Sequence, residues 1–156
     1  MTQRVALATV MDRLSIDAVI TDYAVAVDEG AWDACTALFT PDGRADHRGA
    51  GGAESSAAEA VRWLAESLRL LPVRQHLVVN RRLDLEDLGG CPGDHARVRA
   101  DYLRPTGPAP AGDGVTAPVV LTGGRYEFEL RRTDAGWRIR TLTAHEIWRC
   151  VPADGG

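Results

Sequence analysis

At Pro72 the spacing of apolar residues changes from helical to alternating, so helices come first along this chain and strands afterwards. Before it, Ile16, Val19, Ile20, Tyr23 and Val27 recur at helical spacing, with Asp12 or Ser15 as the cap that starts the helix and Asp28-Glu29-Gly30 as its end. A short helix is predicted over 31–39, closed by the turn Thr40-Pro41-Asp42-Gly43. A short strand over 43–48 and a loop over 49–53 follow, then a helix over 57–71 with Val61, Leu64, Leu68 and Leu71 on one side. After Pro72, strands are predicted over 73–85, 96–104, 119–132 and 136–148, with a turn at Gly89-Gly90-Cys91-Pro92-Gly93. Alternation in the first strand puts His76, Val78 and Asn80 opposite Gln75, Leu77 and Val79. In the third it separates Tyr126, Phe128 and Leu130 from the charged Arg125, Glu127, Glu129 and Arg131, leaving one face for the core and one for water.

Helices followed by an antiparallel sheet make an α+β domain in which about three helices cover one face of the sheet; if that sheet curves strongly, the helices lie on its concave face and close a cone-shaped barrel open at one end. Gly123-Gly124 marks either a bulge that bends the sheet or a spot cleared of side chains for a ligand. The 156 residues suit one domain spanning 1–156, with its core over about 14–148 and a flexible proline- and glycine-rich excursion over about 105–118.

Net charge is −4, and the 18 basic residues are all arginine without a basic stripe, which argues against a nucleic-acid partner. No apolar run approaches the roughly 20 residues of a membrane span, and the amino terminus lacks a signal-peptide pattern, so a cytoplasmic protein is expected. Cys35, Cys91 and Cys150 are too few and too far apart for a disulfide framework or a metal cluster, and neither metal nor cofactor is expected. A phenol, a carboxylate and an imidazole, here Tyr23, Asp28 and His76, can together polarise a carbonyl and move a proton beside it. Taken singly, each has an ordinary structural reading: a packed core tyrosine, a helix-end carboxylate, a strand histidine.

The order of elements resembles the SnoaL-like branch of the nuclear transport factor 2-like superfamily, which includes dehydratases acting on scytalone and bile acids, and polyketide cyclases. The residues that carry the resemblance are Tyr23, Asp28, Gly30, Trp32-Asp33, Leu38-Phe39-Thr40-Pro41-Asp42, His76, Gly123-Gly124-Arg125-Tyr126 and Asp134-Ala135-Gly136-Trp137-Arg138-Ile139. It implies a cofactor-independent dehydratase or cyclase with Tyr23, Asp28 and His76 as catalytic residues and a hydrophobic carbonyl compound, a natural product or steroid-like molecule, as substrate. Asn80, His47, Gly124 and Tyr126 are the candidate substrate contacts, with an exposed loop position as the plainer reading of His47. A homodimer through the open sheet face is expected. Two rivals stand beside this: a non-catalytic ligand-binding or assembly protein, and an epoxide hydrolase. The second would use Arg99 and Asp101, but the last strand offers no further aspartate, so these two are expected to be a surface pair.

Overall fold

The computed structural model describes residues 2–86 and 91–151. Three helices, α1 (Thr2–Glu29), α2 (Trp32–Ala37) and α3 (Ala57–Ser67), pack against seven strands: β1 (Phe39–Gly49), β2 (Glu54–Ser56), β3 (Val73–Arg74), β4 (Leu77–Glu86), β5 (His95–Gly107), β6 (Val120–Thr133) and β7 (Gly136–Cys150). The strands form one strongly curled sheet in the order β2-β1-β7-β6-β5-β3, and β4 shares the long β5 with β3. All neighbours are antiparallel except β1 and β7, which run parallel. This is the curved α+β cone expected, with one parallel pairing that no local pattern announces.

The apolar stripe of α1 is buried, with Ile16, Val19, Ile20, Tyr23 and Val27 each at most 7% exposed. The helix starts far before the expected cap, however. Asp12 is not a cap but a buried carboxylate that accepts from Trp137 Nε1 at 3.2 Å and from Arg132 at 2.6 Å, while Arg132 also reaches Asp94 at 3.2 Å. The hydrogen bond from Arg132 holds Asp12 below the usual carboxylate range. This network ties α1 to β6 and β7. Asp12→Ala leaves the buried Trp137 N–H without its acceptor and Arg132 with only one of its two carboxylates, so it should cost about 3 kcal/mol. For a chain of this size a calorimetric melt should read that as a fall of roughly 10 °C.

The expected turn at Thr40-Pro41-Asp42-Gly43 lies inside β1, where a register shift against β7 between Phe39 and Arg44 absorbs it as a bulge. Ser56 and Glu59 form a reciprocal capping box that starts α3 at Ala57, and α3 ends four residues before the predicted Leu71. Pro105–Gly107 belong to β5, paired with β6 and β3, so the excursion narrows to 108–119. The turn expected over 89–93 falls partly outside the described residues. Among the described residues no helix is long and apolar enough to cross a membrane.

Candidate active site

Helix α1 ends in a Schellman motif, in which the Ala31 N–H donates to Ala26 O at 2.8 Å and the Gly30 N–H to Val27 O at 3.2 Å. Gly30 sits at φ +68°, where a side chain would be strained. The motif leaves Asp28 in the last turn, at the negative end of the helix dipole, a poor place for a carboxylate. Its partners explain its position. Oδ2 accepts from the backbone N–H of His76 at 2.7 Å, and Oδ1 lies 2.5 Å from His76 Nδ1. Nearby Arg74 donates to Val27 O, Leu68 O and Leu71 O, so one guanidinium fastens the ends of α1 and α3 to β3.

His76 stands in the gap between β3 and β4, not inside one continuous strand as expected. That gap turns its ring inward, with a side chain only 1% exposed. Burial lowers its proton affinity below the ordinary value of 6.5, and this outweighs the opposing hydrogen bond to Asp28. Burial keeps the imidazole neutral and Asp28, accepting from Nδ1–H, fixes its tautomer, so Nε2, which has no hydrogen-bond partner among the described residues, is the basic atom.

Tyr23 lies deeper, edge-on to Phe39, Tyr126 and Phe128 at centroid distances of 6.0–6.4 Å. Tyr102 stacks on Tyr126 at 4.3 Å, so all three tyrosines of the chain share one aromatic cluster. Burial raises the phenols of Tyr23 and Tyr126 well above 10, which makes them proton donors rather than phenolates. The Tyr23 hydroxyl makes no hydrogen bond among the described residues. Tyr126 therefore faces the interior as expected.

His47 is buried in β1 against Trp63 at 5.0 Å, not exposed on a loop. Its Nδ1 has no hydrogen-bond partner among the described residues, and burial brings its pKa down to about 4. Two substrate-contact expectations are corrected by position. Asn80 adopts φ 52° at a register shift between Val79 and Arg82, which reverses the alternation and sends it to the outer face, bonded to Asp101 at 3.0 Å. Gly124 does make room, but for protein: a Cβ there would lie 2.6 Å from the Tyr102 hydroxyl and would also strike the His145 backbone. Asp101 pairs with Arg125 at 3.1 Å rather than with Arg99, on the same outer face.

Two cavities lie in this part of the molecule, and the lining of neither includes His76 or Tyr23. One, of about 560 Å³, reaches Asp28 from beneath the 108–119 segment, bordered by Arg74, Thr106 and Thr116. The other, of about 320 Å³, opens between α3 and the inner face of β5 and β6, where Arg104 stands among Thr106, Thr122 and Leu68. Arg104 escaped notice in the sequence, although the alternation of Ala96, Val98, Ala100 and Tyr102 pointed it inward. Among the described residues no three histidine, cysteine, aspartate or glutamate side chains cluster as a metal site would require.

Residues 8–143 match the model of the SnoaL-like domain. Uncharacterized proteins of Mycobacterium bovis and Mycobacterium tuberculosis are 32% identical over 133 residues, covering 85% of this chain and 84% of theirs. A Novosphingobium aromaticivorans structure provisionally assigned as an aromatic ring hydroxylase is 26% identical, with a TM-score of 0.71 over 89% of this chain and 91% of that one. Another from the same organism, provisionally assigned as a scytalone dehydratase, has a TM-score of 0.74 at 15% identity over 100% and 95%. Hexachlorocyclohexane dehydrochlorinase LinA-type3 from Novosphingobium barchaimii has a TM-score of 0.74 at 18% identity over 96% of both chains. At 15% and 18% identity the last two show a common fold only.

Proposed function

Because the chain belongs to the SnoaL-like domain family, we propose that it is a cofactor-independent lyase or cyclase in which His76 removes a proton beside the carbonyl of a hydrophobic substrate. The observation that carries this reading is the Asp28–His76 pair: a carboxylate engaged on both oxygens by one residue fixes the tautomer of an imidazole that burial keeps neutral, with Nε2 left over. Asp28 stabilises the imidazolium that forms, and the Tyr23 hydroxyl donates to the developing enolate oxygen. In a dehydration, protonated His76 returns its proton to the departing hydroxyl as the enolate expels it. In a cyclisation, the enolate carbon attacks a second carbonyl of the same molecule, and that oxygen takes the proton. The dehydratase and dehydrochlorinase among the fold relatives carry the names of eliminations, reactions that one enclosed base can start.

The near-complete enclosure of Tyr23 and His76 favours a second reading, ligand binding without turnover. Proton exchange separates the two. Incubated with β-hydroxy ketones in D2O, an enzyme should wash out the proton beside the carbonyl, or lose water, faster than the protein-free control, as followed by ¹H NMR. The rate should rise with pH along a limb below 6.5, because only neutral His76 accepts a proton and burial moves its titration downward. No exchange across the panel would leave the binding reading, and exchange with a limb displaced above 6.5 would point to a base other than His76.

A further inference from the structure

The inner face of β5 presents Ala96, Val98, Ala100, Tyr102, Arg104 and Thr106 in turn, and Arg104 is the only charge in that row. Arg104 is half-buried with its Nε out of solvent, and a guanidinium so placed gains from a group that meets its charge. Among the described residues Arg104 forms no ion pair, its side chain donates no hydrogen bond, and its Nε is buried without a partner. Arg149 borders the same cavity, brought there by the register shift in β7 opposite Gly123 and Gly124, but its charge is answered by Glu146 at 2.7 Å. Arg104 has no such answer. The hydroxyls beside it are loosely held: Thr106 reaches Val120 O at 3.4 Å and Thr122 reaches Arg104 O at 3.5 Å, both long for hydrogen bonds of this kind. Opposite them, Leu64, Leu68 and Leu71 make an apolar wall. After burial, the charge of Arg104 is the next influence opposing protonation of His47, and it also acts on His76, so the guanidinium lies within electrostatic reach of the dyad.

We propose that this cavity is an anion subsite that receives the carboxylate of an amphipathic ligand, with Arg104 forked onto the carboxylate, Thr106 and Thr122 donating to it, and the leucines of α3 and its following turn covering the apolar body. Taking that ligand to be the substrate rests on the proposed function; the binding itself does not.

Titration calorimetry with 2-naphthoate and its neutral isostere 2-naphthamide reads the subsite without turnover. The acid should bind at least ~10-fold more tightly than the amide, the scale of one charge-assisted hydrogen bond. Arg104→Gln should erase the difference and Arg104→Lys should restore part of it. Asp28→Asn should bind the acid as the unsubstituted protein does, so loss of proton exchange and loss of anion preference are separate results. Equal affinity for acid and amide overturns the proposal, as does a preference that survives in Arg104→Gln. Absence of saturable binding by either compound overturns it too, and the acid–amide comparison stands even if the variants fail to fold.

Discussion

Asp28→Asn is expected to lower turnover by at least ~100-fold, and by as much as ~10⁴-fold if it inverts the imidazole tautomer, the cost of that change in a serine-protease triad. The geometry says why. Both carboxylate oxygens of Asp28 accept from His76, one from its backbone N–H and one from Nδ1–H. An asparagine has one oxygen for two donors. If it keeps the backbone bond, its amide group faces Nδ1, the ring proton shifts to Nε2, and the basic atom is lost. Melting should not suffer, since a neutral side chain suits the carboxyl end of α1 better than an anion does. Turnover and a thermal melt on the purified variant check this. Activity within a few-fold of the unsubstituted protein would remove His76 from the chemistry.

Tyr23→Phe is expected to raise the barrier by on the order of 3 kcal/mol, roughly 100-fold in rate, if the hydroxyl stabilises an oxyanion. The substitution is unusually clean in this fold. The ring stays edge-on to Phe39, Tyr126 and Phe128, and because the hydroxyl bonds no described residue, its removal leaves no donor or acceptor stranded. Stability should therefore hold while kcat falls. Equal kcat with an unchanged melt would reduce Tyr23 to a packing residue.

The order of elements and the inward faces of α1 and β6 were legible because burial imposes a period, and Ile16 to Val27 and Tyr126 to Leu130 keep it strictly. The proximity of Asp28 and His76 followed from the resemblance, not from the period, since a contact between residues 48 apart has no local signal. What went unread lay where the backbone breaks its own rule. The left-handed Asn80 reverses its strand's parity, and the bulge after Phe39 turns four turn-forming residues into strand. Neither leaves a mark that composition reveals. The early start of α1 is hidden for a different reason: Leu7, Val10, Met11 and Leu14 are exposed, so no buried stripe identifies that half of the helix. Arg104 was legible after all, as a charge at a position the alternation assigns to the core.

The parallel pairing of β1 with β7 also sets the order in which the molecule can assemble. Phe39 meets Ile139 and Asp46 meets Thr143, so β1 must wait for about a hundred later residues before that edge is covered. During synthesis, α1, β3, β4 and the β5 that pairs with both emerge before β7, and the Asp28–His76 contact joins α1 to the segment between β3 and β4. Until the last strand arrives, β1 has only the three-residue β2 beside it and shows an unpaired backbone edge on its other side. The interval before closure is thus the time at which the nascent chain is most open to pairing with the wrong strand.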